Sequence, residues 1–110
     1  MDCLFCKMVS GDIPVKRLYE DEVAIAIADI HPQAPVHALV IPKVHVKSVA
    51  EATDEAMLGG LMAAAAAVAK SQGLANGFRL VLNTGDDGGQ TVGHLHVHVL
   101  GGRHMGWPPG

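Results

Sequence analysis

Residues 94–100, HLHVHVL, alternate histidines with aliphatic side chains. The histidines are His94, His96 and His98. Successive side chains of a β-strand point to opposite faces, so a strand would place all three histidines on one face. On a helix, where each residue turns by about 100°, the middle histidine would point away from the other two. β-branched valines within the segment and glycines at both ends favour the strand. We therefore predict a strand over 94–100 with one apolar face and one face of imidazoles.

The spacing of these histidines argues against one metal ion bound by all three. Residues four apart on a strand are separated by about 13 Å, at about 3.3 Å per residue. A metal ligand atom lies only about 2 Å from its ion. Neutral histidine is nucleophilic and titrates near neutrality. Three such rings on one face favour phosphoryl or nucleotidyl transfer over a purely structural row of hydrogen-bonded histidines.

The segment before the histidines, TGDDGGQTVG at 84–93, is rich in glycine. Successive backbone N–H groups in such loops can form a concave nest for anions. Many glycine-rich loops are plain hairpin turns, so the loop alone is weak evidence. Asp86 and Asp87 would repel a phosphate, and we expect the nest at Gly88–Gly93.

Periodicity and turn residues predict the other elements. Strands are expected at 15–20, 23–29, 37–41 and 78–83. A long helix begins at Thr53 or Asp54 and ends at Gly73. Ser48–Glu51 fits a capping box for a short helical turn. The sum is one α+β domain spanning 1–110, a five-stranded antiparallel sheet with one long helix and a short helix.

Composition and charge exclude two kinds of partner. The chain has 110 residues and a net charge of -3, so no clustered basic surface is expected for a nucleic-acid polymer. No run of 18 or more apolar residues occurs, so no contact with a membrane is expected. The start, Met1-Asp2-Cys3, lacks the features of a signal peptide, and a cytoplasmic location is the expectation. A single nucleotide remains compatible, because backbone amides can hold one phosphate.

The chain resembles the Hint branch of the histidine triad (HIT) family. The family mark is His-x-His-x-His followed by two apolar residues, and HLHVHVL fits it. Longer blocks in the family's order are LFCKMVSGDIP, DIHPQAPVHALVIPKVH, LNTGDDGGQTVGHLHVHVLGG and WPPG. The resemblance implies a HIT-like homodimer in which the sheet continues across the interface.

The same resemblance implies an enzyme that acts on a purine nucleotide. It would be a nucleoside phosphoramidase or nucleotidyl hydrolase that releases AMP or GMP through a covalent nucleotidyl-histidine. No cofactor is implied for the chemistry. Hydrolysis of dinucleoside polyphosphates, and a nucleotide-binding adaptor with incidental catalysis, remain the alternatives.

The resemblance assigns roles to individual residues. His96 matches the nucleophile, and the carbonyl of His94 is expected to hold its other ring nitrogen. His37 matches a histidine that flanks the site, and Asp29 matches the carboxylate that takes the ribose hydroxyls. The expected phosphate contacts are His98, Asn83, Gly89, Gln90 and Thr91. The purine slot is expected to include or adjoin Leu4, Phe5, Met8, Ile27 and Ile30.

Two departures from the family pattern concern the substrate. Thr91 stands where many Hint proteins have serine, so the hydroxyl is kept and a methyl group is added. Ile27 and Ala28 replace larger rings, which leaves the preference for adenine or guanine open.

The two cysteines are spaced C-x-x-C. A lone pair of thiols is half of a zinc site, and a redox reading would need a βαβ context that is missing. In some bacterial relatives a matching pair binds structural zinc together with the histidine of the PKxH block and the first triad histidine. The corresponding set here is Cys3, Cys6, His45 and His94. Accidental thiols are the alternative to zinc.

The long helix carries a row of small residues: Gly59, Gly60, Ala63, Ala64 and Ala67. A thin helix face allows another backbone to approach closely, and a twofold-related copy would bury it. Together with the tail that bears Trp107, this row favours a homodimer.

Overall fold

One antiparallel sheet carries a helix on each face. The computed structural model describes residues 3–110. Met1 and Asp2 lie outside the described residues. Both belong to the predicted domain, and the expectation about the start of the chain also concerns them. In chain order the elements are α1 (Leu4–Ser10), β1 (Tyr19–Glu20), β2 (Ala24–Ala28), β3 (Val36–Pro42), a 3₁₀ turn (Val49–Glu51), α2 (Glu55–Ser71), β4 (Phe78–Val81) and β5 (Val97–Gly101).

The strands lie in the order β1-β2-β3-β5-β4, and every neighbouring pair is antiparallel. The central strand β3 pairs Leu39 with Ile27 of β2 and with His98 of β5. Residues directly opposite each other share a face of the sheet. His98 therefore lies on the same face as Leu39 and, two residues away on β3, His37.

The two faces of the sheet bury different side chains. Under α2 the strands present mainly small residues, and the buried strand residues of this cluster are Ala24, Ala26, Ala38, Val40, Val97 and Val99. The opposite face presents larger residues, and these are Ile25, Ile27, Leu39 and Ile41, with Phe5 of α1 packed on them. Because both faces are covered, β2 and β3 have almost wholly apolar sequences, as expected for doubly buried strands.

The predicted five-stranded antiparallel sheet and long helix are confirmed, and three strand boundaries differ by two residues or more. The strand predicted at 78–83 ends at Val81. The predicted strand 94–100 begins only at Val97. Pro42 ends the partner strand β3 and has no N–H with which to continue the ladder. The backbone of Leu95 instead donates to the carbonyl of Val46 at 2.7 Å. The predicted strand 15–20 is reduced to Tyr19–Glu20 at the edge of the sheet.

Helix α1 was missing from the sequence prediction. Seven residues are too few to show a clear helical period, and the first turn lacks an acidic residue. Its end does carry a signal, because Gly11 adopts a left-handed φ of 90° and its N–H caps the carbonyl of Met8. The N-terminal cap is Cys3, whose sulfur accepts from the N–H of Cys6.

The caps of the other helical segments decide between the predicted alternatives. Asp54, and not Thr53, caps α2, with its carboxylate accepting from the N–H of Met57 at 3.0 Å. The predicted capping box at Ser48 is wrong, because the Ser48 side chain makes no capping hydrogen bond and only a 3₁₀ turn follows. Gly73, with φ 79°, follows the end of α2 as predicted.

The row of small residues on α2 faces outward only in part. Ala64 is 1% exposed and belongs to the core under the helix. A Cβ on Gly60 would approach a methyl group of Val23 to 2.9 Å, so this glycine serves packing within the chain. Gly59 and Ala63 are exposed and Ala67 is half-buried. These three remain available to a second copy.

None of the helices in the part of the chain that the structure describes has the length and apolar character needed to cross a bilayer.

Replacing the cap of α2 tests this description of the helix start. Asp54→Ala is expected to lower the free energy of unfolding by about 1 kcal/mol, because the N–H of Met57 loses its acceptor. Thr53→Ala is the matched control and should change it by less than about 0.5 kcal/mol. Urea denaturation of both variants measures the difference. A larger loss for Thr53→Ala would contradict the assigned cap.

Candidate active site

The three histidines keep one face although only His98 lies within a strand. The residues between them, Leu95 and Val97, are buried in the cluster under α2. On the other face, the rings of His96 and His98 have centroids 5.0 Å apart. Phe5 of α1 packs edge-on against His94 at 5.8 Å and against His96 at 5.1 Å. The predicted alternation therefore survives the early end of the ladder.

A hydrogen bond to a backbone carbonyl defines the tautomer of His96. Its Nδ1 lies 2.8 Å from the carbonyl oxygen of His94, the contact that the family resemblance implies. A carbonyl oxygen only accepts, so Nδ1 carries the proton and donates it. Neutral His96 then has an unprotonated Nε2, and its ring forms part of the wall of a cleft. This nitrogen has the lone pair that a nucleophile requires.

A second chain of hydrogen bonds gives His98 the opposite tautomer. The backbone N–H of Gln33 donates to Nδ1 of His37 at 3.0 Å, so neutral His37 carries its proton on Nε2. That Nε2 lies 2.9 Å from Nδ1 of His98 and 3.3 Å from a carboxylate oxygen of Asp29. Nδ1 of His98 accepts, which leaves the N–H of His98 on Nε2. A lone pair on His96 and an N–H on His98 thus stand on neighbouring rings.

His98 is held in its neutral form. Burial, followed by the nearby rings of His96 and His37, lowers its pKa below the ordinary 6.5, and Asp29 opposes this shift. Protonation would also replace the acceptor at Nδ1 with a donor facing the Nε2–H of His37. The neutral form is therefore the one that fits the hydrogen-bond chain.

The cleft beside these rings has a volume of about 220 Å³. Helix α1 and strands β2 and β3 supply its apolar walls, and the two histidines lie with Thr91 and Asp29 among its polar groups. The lining residues are Leu4, Phe5, Met8, Ile27, Ala28, Asp29, Ile30, Leu39, Thr91, Val92, His96 and His98. All the residues predicted for the purine slot, together with Asp29 and Thr91, are thus brought together.

Two lining residues were missed from the sequence. Leu39 could have been found, because it alternates with His37 on a predicted strand and so shares its face. Val92 lies in the glycine-rich segment and has no periodic signal. A larger hollow of about 390 Å³ lies at the end of α2, lined by Gly73, Leu74, Asn76, Gly77, Gly102, Arg103 and His104. None of the triad histidines lines it, so chemistry and not size identifies the cleft.

The remaining predicted phosphate contacts stabilise the loop. Asn83 donates its amide to the carbonyl of Gly88. The amide of Gln90 donates to the carbonyls of Lys47 at 2.6 Å and Val92 at 3.0 Å, and its oxygen accepts from a backbone N–H. The lining of the cleft includes neither of these side chains, nor Gly89. Their roles toward phosphate stay predictions, while their contacts fix the loop that carries Thr91.

A second cluster lies behind the cleft and consists of Cys3, Cys6, His45 and His94. One ligand atom from each residue lies within 4.8 Å of the others. Cys3 Sγ is 3.2 Å from His94 Nδ1, Cys6 Sγ is 3.3 Å from His45 Nδ1, and the two Nδ1 atoms are 3.1 Å apart. Ligand atoms of a tetrahedral zinc site lie about 3.3–3.8 Å from each other. The two cysteines are not joined in a disulfide.

The orientation of His94 fits a metal ligand. Its Nε2 lies 2.9 Å from the carbonyl oxygen of Pro42 and donates to it. The lone pair therefore resides on Nδ1, the atom that faces the thiols, and such an outer hydrogen bond is typical of histidine ligands. Burial lowers the pKa of His94, and the neutral ring is the form that binds metal. Two thiols and two imidazoles match the ligand preference of Zn²⁺.

Asp29, His37 and His98 also lie within 4.8 Å of one another, but they fit a metal poorly. The Gln33 N–H occupies the lone pair of Nδ1 on His37, so the Nε2 that faces the other two residues carries a proton. A metal ligand atom must be unprotonated. This cluster therefore forms a chain of hydrogen bonds and is poorly suited to binding a cation.

The chain is similar in sequence and in fold to known proteins. A family model described as HIT domain matches residues 10–105. An uncharacterized HIT-like protein of Synechococcus elongatus is 50% identical over 111 residues, covering 99% of this chain and 97% of that protein. A HIT family hydrolase from Legionella pneumophila has a crystal structure that superposes with a TM-score of 0.94 at 45% identity, covering 99% of this chain and 100% of that one.

A Zn-bound histidine triad family protein from Mycobacterium smegmatis superposes with a TM-score of 0.84 at 38% identity, covering 100% of this chain and 81% of that one. This chain has a five-stranded antiparallel sheet, and two histidines of its triad line an apolar cleft. These features place it in the class of histidine triad domains. The chain belongs to the HIT domain family.

The lowered pKa of His98 predicts how stability depends on pH. Between the folded-state pKa and the ordinary 6.5, the unfolded chain binds a proton that the folded chain does not. The free energy of unfolding is therefore expected to fall as the pH is lowered from about 7.5 to about 5.5. His98→Asn cannot take up this proton, so its pH dependence should be shallower. Urea denaturation at constant ionic strength measures both slopes.

Val99→Ala is the control for this comparison. It removes core volume from the same strand without removing an ionisable group. It should lower stability at every pH and keep the wild-type slope. Equal slopes for His98→Asn and wild type would contradict the assignment of the shift to His98.

Proposed function

We propose that this protein is a hydrolase acting on purine nucleotides, in the manner of the Hint branch. It releases AMP or GMP from a nucleoside phosphoramidate or related nucleotidyl compound through a covalent nucleotidyl-histidine on His96. One observation carries the proposal: neighbouring rings in one cleft have opposite tautomers, an unprotonated Nε2 on His96 and an N–H on His98. The name of the Legionella pneumophila relative, a HIT family hydrolase, supports the reaction class.

In the first step, Nε2 of His96 attacks the α-phosphorus and a P–N bond to the ring forms. The bond from phosphorus to the leaving amine breaks, and the amine takes one proton, which we assign to the hydroxyl of Thr91, a residue of the cleft wall. The N–H of His98 donates to a phosphate oxygen as negative charge shifts onto it. The positive charge that develops on the attacking ring is stabilised by the carbonyl of His94 at Nδ1.

In the second step, water attacks phosphorus and the bond to His96 breaks. The water oxygen stays on the released nucleoside monophosphate, and a proton from water restores the group that protonated the amine. His96 returns to its neutral tautomer. Splitting one difficult displacement into two is the general advantage of covalent catalysis.

The walls of the cleft favour the binding of a purine ring, with little preference between adenine and guanine. The side chains around the apolar part are aliphatic, thioether or phenyl groups, and none of the described residues around it carries an amide or a basic group that would read a base edge. Such walls hold a flat ring by burial and packing. Asp29 lies beside this part of the cleft. One carboxylate oxygen accepts from the backbone N–H of His31, and the other lies near His37. A carboxylate has about four acceptor sites, so capacity is left for ribose hydroxyls.

Zinc is proposed for the cluster of Cys3, Cys6, His45 and His94. The facing lone pairs and the interatomic distances support it, and the Zn-bound relative from Mycobacterium smegmatis adds to that support. When bound, zinc would cross-link α1 to the segment after β3, which carries His45, and to the segment before β5, which carries His94. His96 and His98 are left for the chemistry.

A homodimer is proposed on two observations. Strand β4 is an edge of the sheet, so its outer backbone groups are available to pair with a second copy. The exposed small residues of α2 offer a thin surface to the same partner. The tail that bears Trp107 begins beside this edge, because Arg79 of β4 donates to the carbonyl of Gly106 at 2.8 Å. This position beside the edge supports the proposal that the tail reaches the partner's cleft.

The oligomeric state follows from sedimentation of the full chain and of a version ending before residue 104. Both are expected to sediment as dimers at micromolar concentration, while the shortened chain prefers different leaving groups. Ala63→Arg introduces a long charged side chain on the exposed face of α2 and should shift the equilibrium toward monomer. A monomeric wild-type chain would refute the dimer.

Removal of the nucleophile tests the reaction. His96→Ala and His96→Gly are expected to lower kcat on an adenosine phosphoramidate by about 10³-fold or more while AMP affinity changes little. Wild-type enzyme quenched during turnover should carry a nucleotidyl mass on the peptide that contains His96. Near-normal turnover in these variants, or an adduct on another residue, would show that the assignment is wrong.

The same assay separates the alternative functions. Wild-type turnover of lysyl-AMP, an AMP amide and a diadenosine polyphosphate is compared under identical conditions. Preference for the diadenosine compound would favour the polyphosphate hydrolase, and tight AMP binding with negligible turnover of all three would favour an adaptor.

A further inference from the structure

We propose that zinc and the nucleotide bind cooperatively, with α1 as the physical link between them. The proposal rests on the proposed function, from which it takes both ligands. It assigns Cys3, Cys6 and His45 as positioning residues for the nucleotide cleft. The observations that carry it concern the two sides of α1 and the two ends of His94.

Helix α1 contributes to both sites. Cys3 is its N-terminal cap and Cys6 lies in its first turn, where both sulfurs face the histidines of the cluster. Leu4, Phe5 and Met8 of the same seven residues line the cleft. A displacement of α1 that separates the thiols from His45 and His94 therefore also moves part of the cleft wall.

A helix of this length is not stable by itself, since isolated helices below about 12–15 residues are marginal in water. The structure holds α1 at both ends. The guanidinium of Arg17 donates to the carbonyls of Met8 at 3.1 Å and Val9 at 3.0 Å, at the C-terminal end. The cysteines hold the N-terminal end, and among the residues of α1 only Phe5 is fully buried. Loss of the metal would release the end that carries Leu4 and Phe5.

His94 provides a second connection. Its Nδ1 faces the thiols while its carbonyl oxygen accepts the N–H of His96. Phe5 packs edge-on against the rings of both histidines. A metal bound to His94 thus fixes the backbone that orients the nucleophilic ring, and it fixes the phenyl ring that separates the two sites.

Cooperativity follows from the cost of ordering α1. Whichever ligand binds first orders the helix, and the second ligand then binds without that cost. The coupling is reciprocal, so zinc raises nucleotide affinity by the same factor by which the nucleotide raises zinc affinity. We expect a factor of about tenfold, within the usual range for coupled sites.

The experiment uses the full chain and AMP as the probe. Elemental analysis of protein purified without chelator first establishes the zinc content, expected to be about one per chain. Calorimetry then compares AMP binding to this protein and to protein stripped by a chelator. Zinc transfer to a chromogenic chelator is timed with and without saturating AMP. Hydrogen exchange follows the amides of α1 and of α2 in both forms.

Cooperativity predicts AMP binding about tenfold weaker after zinc removal, and zinc release slowed by AMP. Exchange should increase in α1 while the amides of α2 remain protected. Equal AMP affinity in the two forms, with zinc present in one and absent in the other, would overturn the coupling and leave the proposed function intact. General loss of protection would also overturn it, because zinc would then hold the whole fold. Absence of zinc would overturn both the cooperativity and the proposed zinc site. Absence of AMP binding in either form would overturn both the cooperativity and the proposed nucleotide site.

Two variants separate the metal from the position of the helix. Cys6→Ser removes a thiol and should reproduce the stripped protein in zinc content and in AMP affinity. Arg17→Gln releases the other end of α1 and should weaken AMP binding while zinc is retained. Arg79→Gln also removes a guanidinium that donates to a backbone carbonyl, but outside α1 and the cleft lining; it is the matched control and should change neither quantity. Wild-type AMP affinity in zinc-free Cys6→Ser would refute the link.

Discussion

The hydrogen bond from Nδ1 of His96 to the carbonyl oxygen of His94 determines what the rest of the site can do. An imidazole can use either nitrogen, and without a fixed partner its lone pair has no fixed direction. This carbonyl belongs to a residue two positions earlier in the chain. That residue precedes β5, so its carbonyl is outside the β-ladder and accepts from the imidazole. The chemistry therefore depends on the place where Pro42 ends the pairing of β3 and allows the chain before Val97 to turn.

His98 differs from His96 because a different backbone group stands at the far end of its hydrogen-bond chain. A carbonyl sets one tautomer, and the N–H of Gln33, acting through His37, sets the other. Two identical side chains, two residues apart, thereby acquire opposite roles without any charged residue between them. Burial lowers the pKa of His98 and preserves the neutral form on which its part of this difference depends.

The sequence predicted much of the fold because its strongest signals are local. Alternation around the triad, the apolar runs of β2 and β3 and the helical spacing after Asp54 each reflect burial on one or two faces. The prediction failed where contacts between segments distant in sequence determine the local structure. The short ladder at His94 depends on Pro42, a partner far along the chain, and α1 is too short for a period to appear.

Most residues of the candidate site were predicted, together with one of its hydrogen bonds, the one between His96 and the carbonyl of His94; its other hydrogen bonds were not. The resemblance to a known family named the residues around the cleft, and the structure brings most of them together. The sequence held no sign that Gln33 would set the tautomer of His37, because a backbone amide has no side-chain signature. For the same reason Asn83 and Gln90 could not be recognised as groups that brace their own loop.

The division of the sheet into a face of small residues and a face of large ones separates two kinds of evolutionary change. Alanines under α2 leave no room for a larger residue without displacing the helix. Ile27 and Leu39, on the opposite face, border the cleft, and a change in their size alters the cavity more than it alters the packing of α2. A lineage with this fold can thus alter the shape of its ligand slot without repacking α2, while the buried alanines on the far side keep the architecture constant.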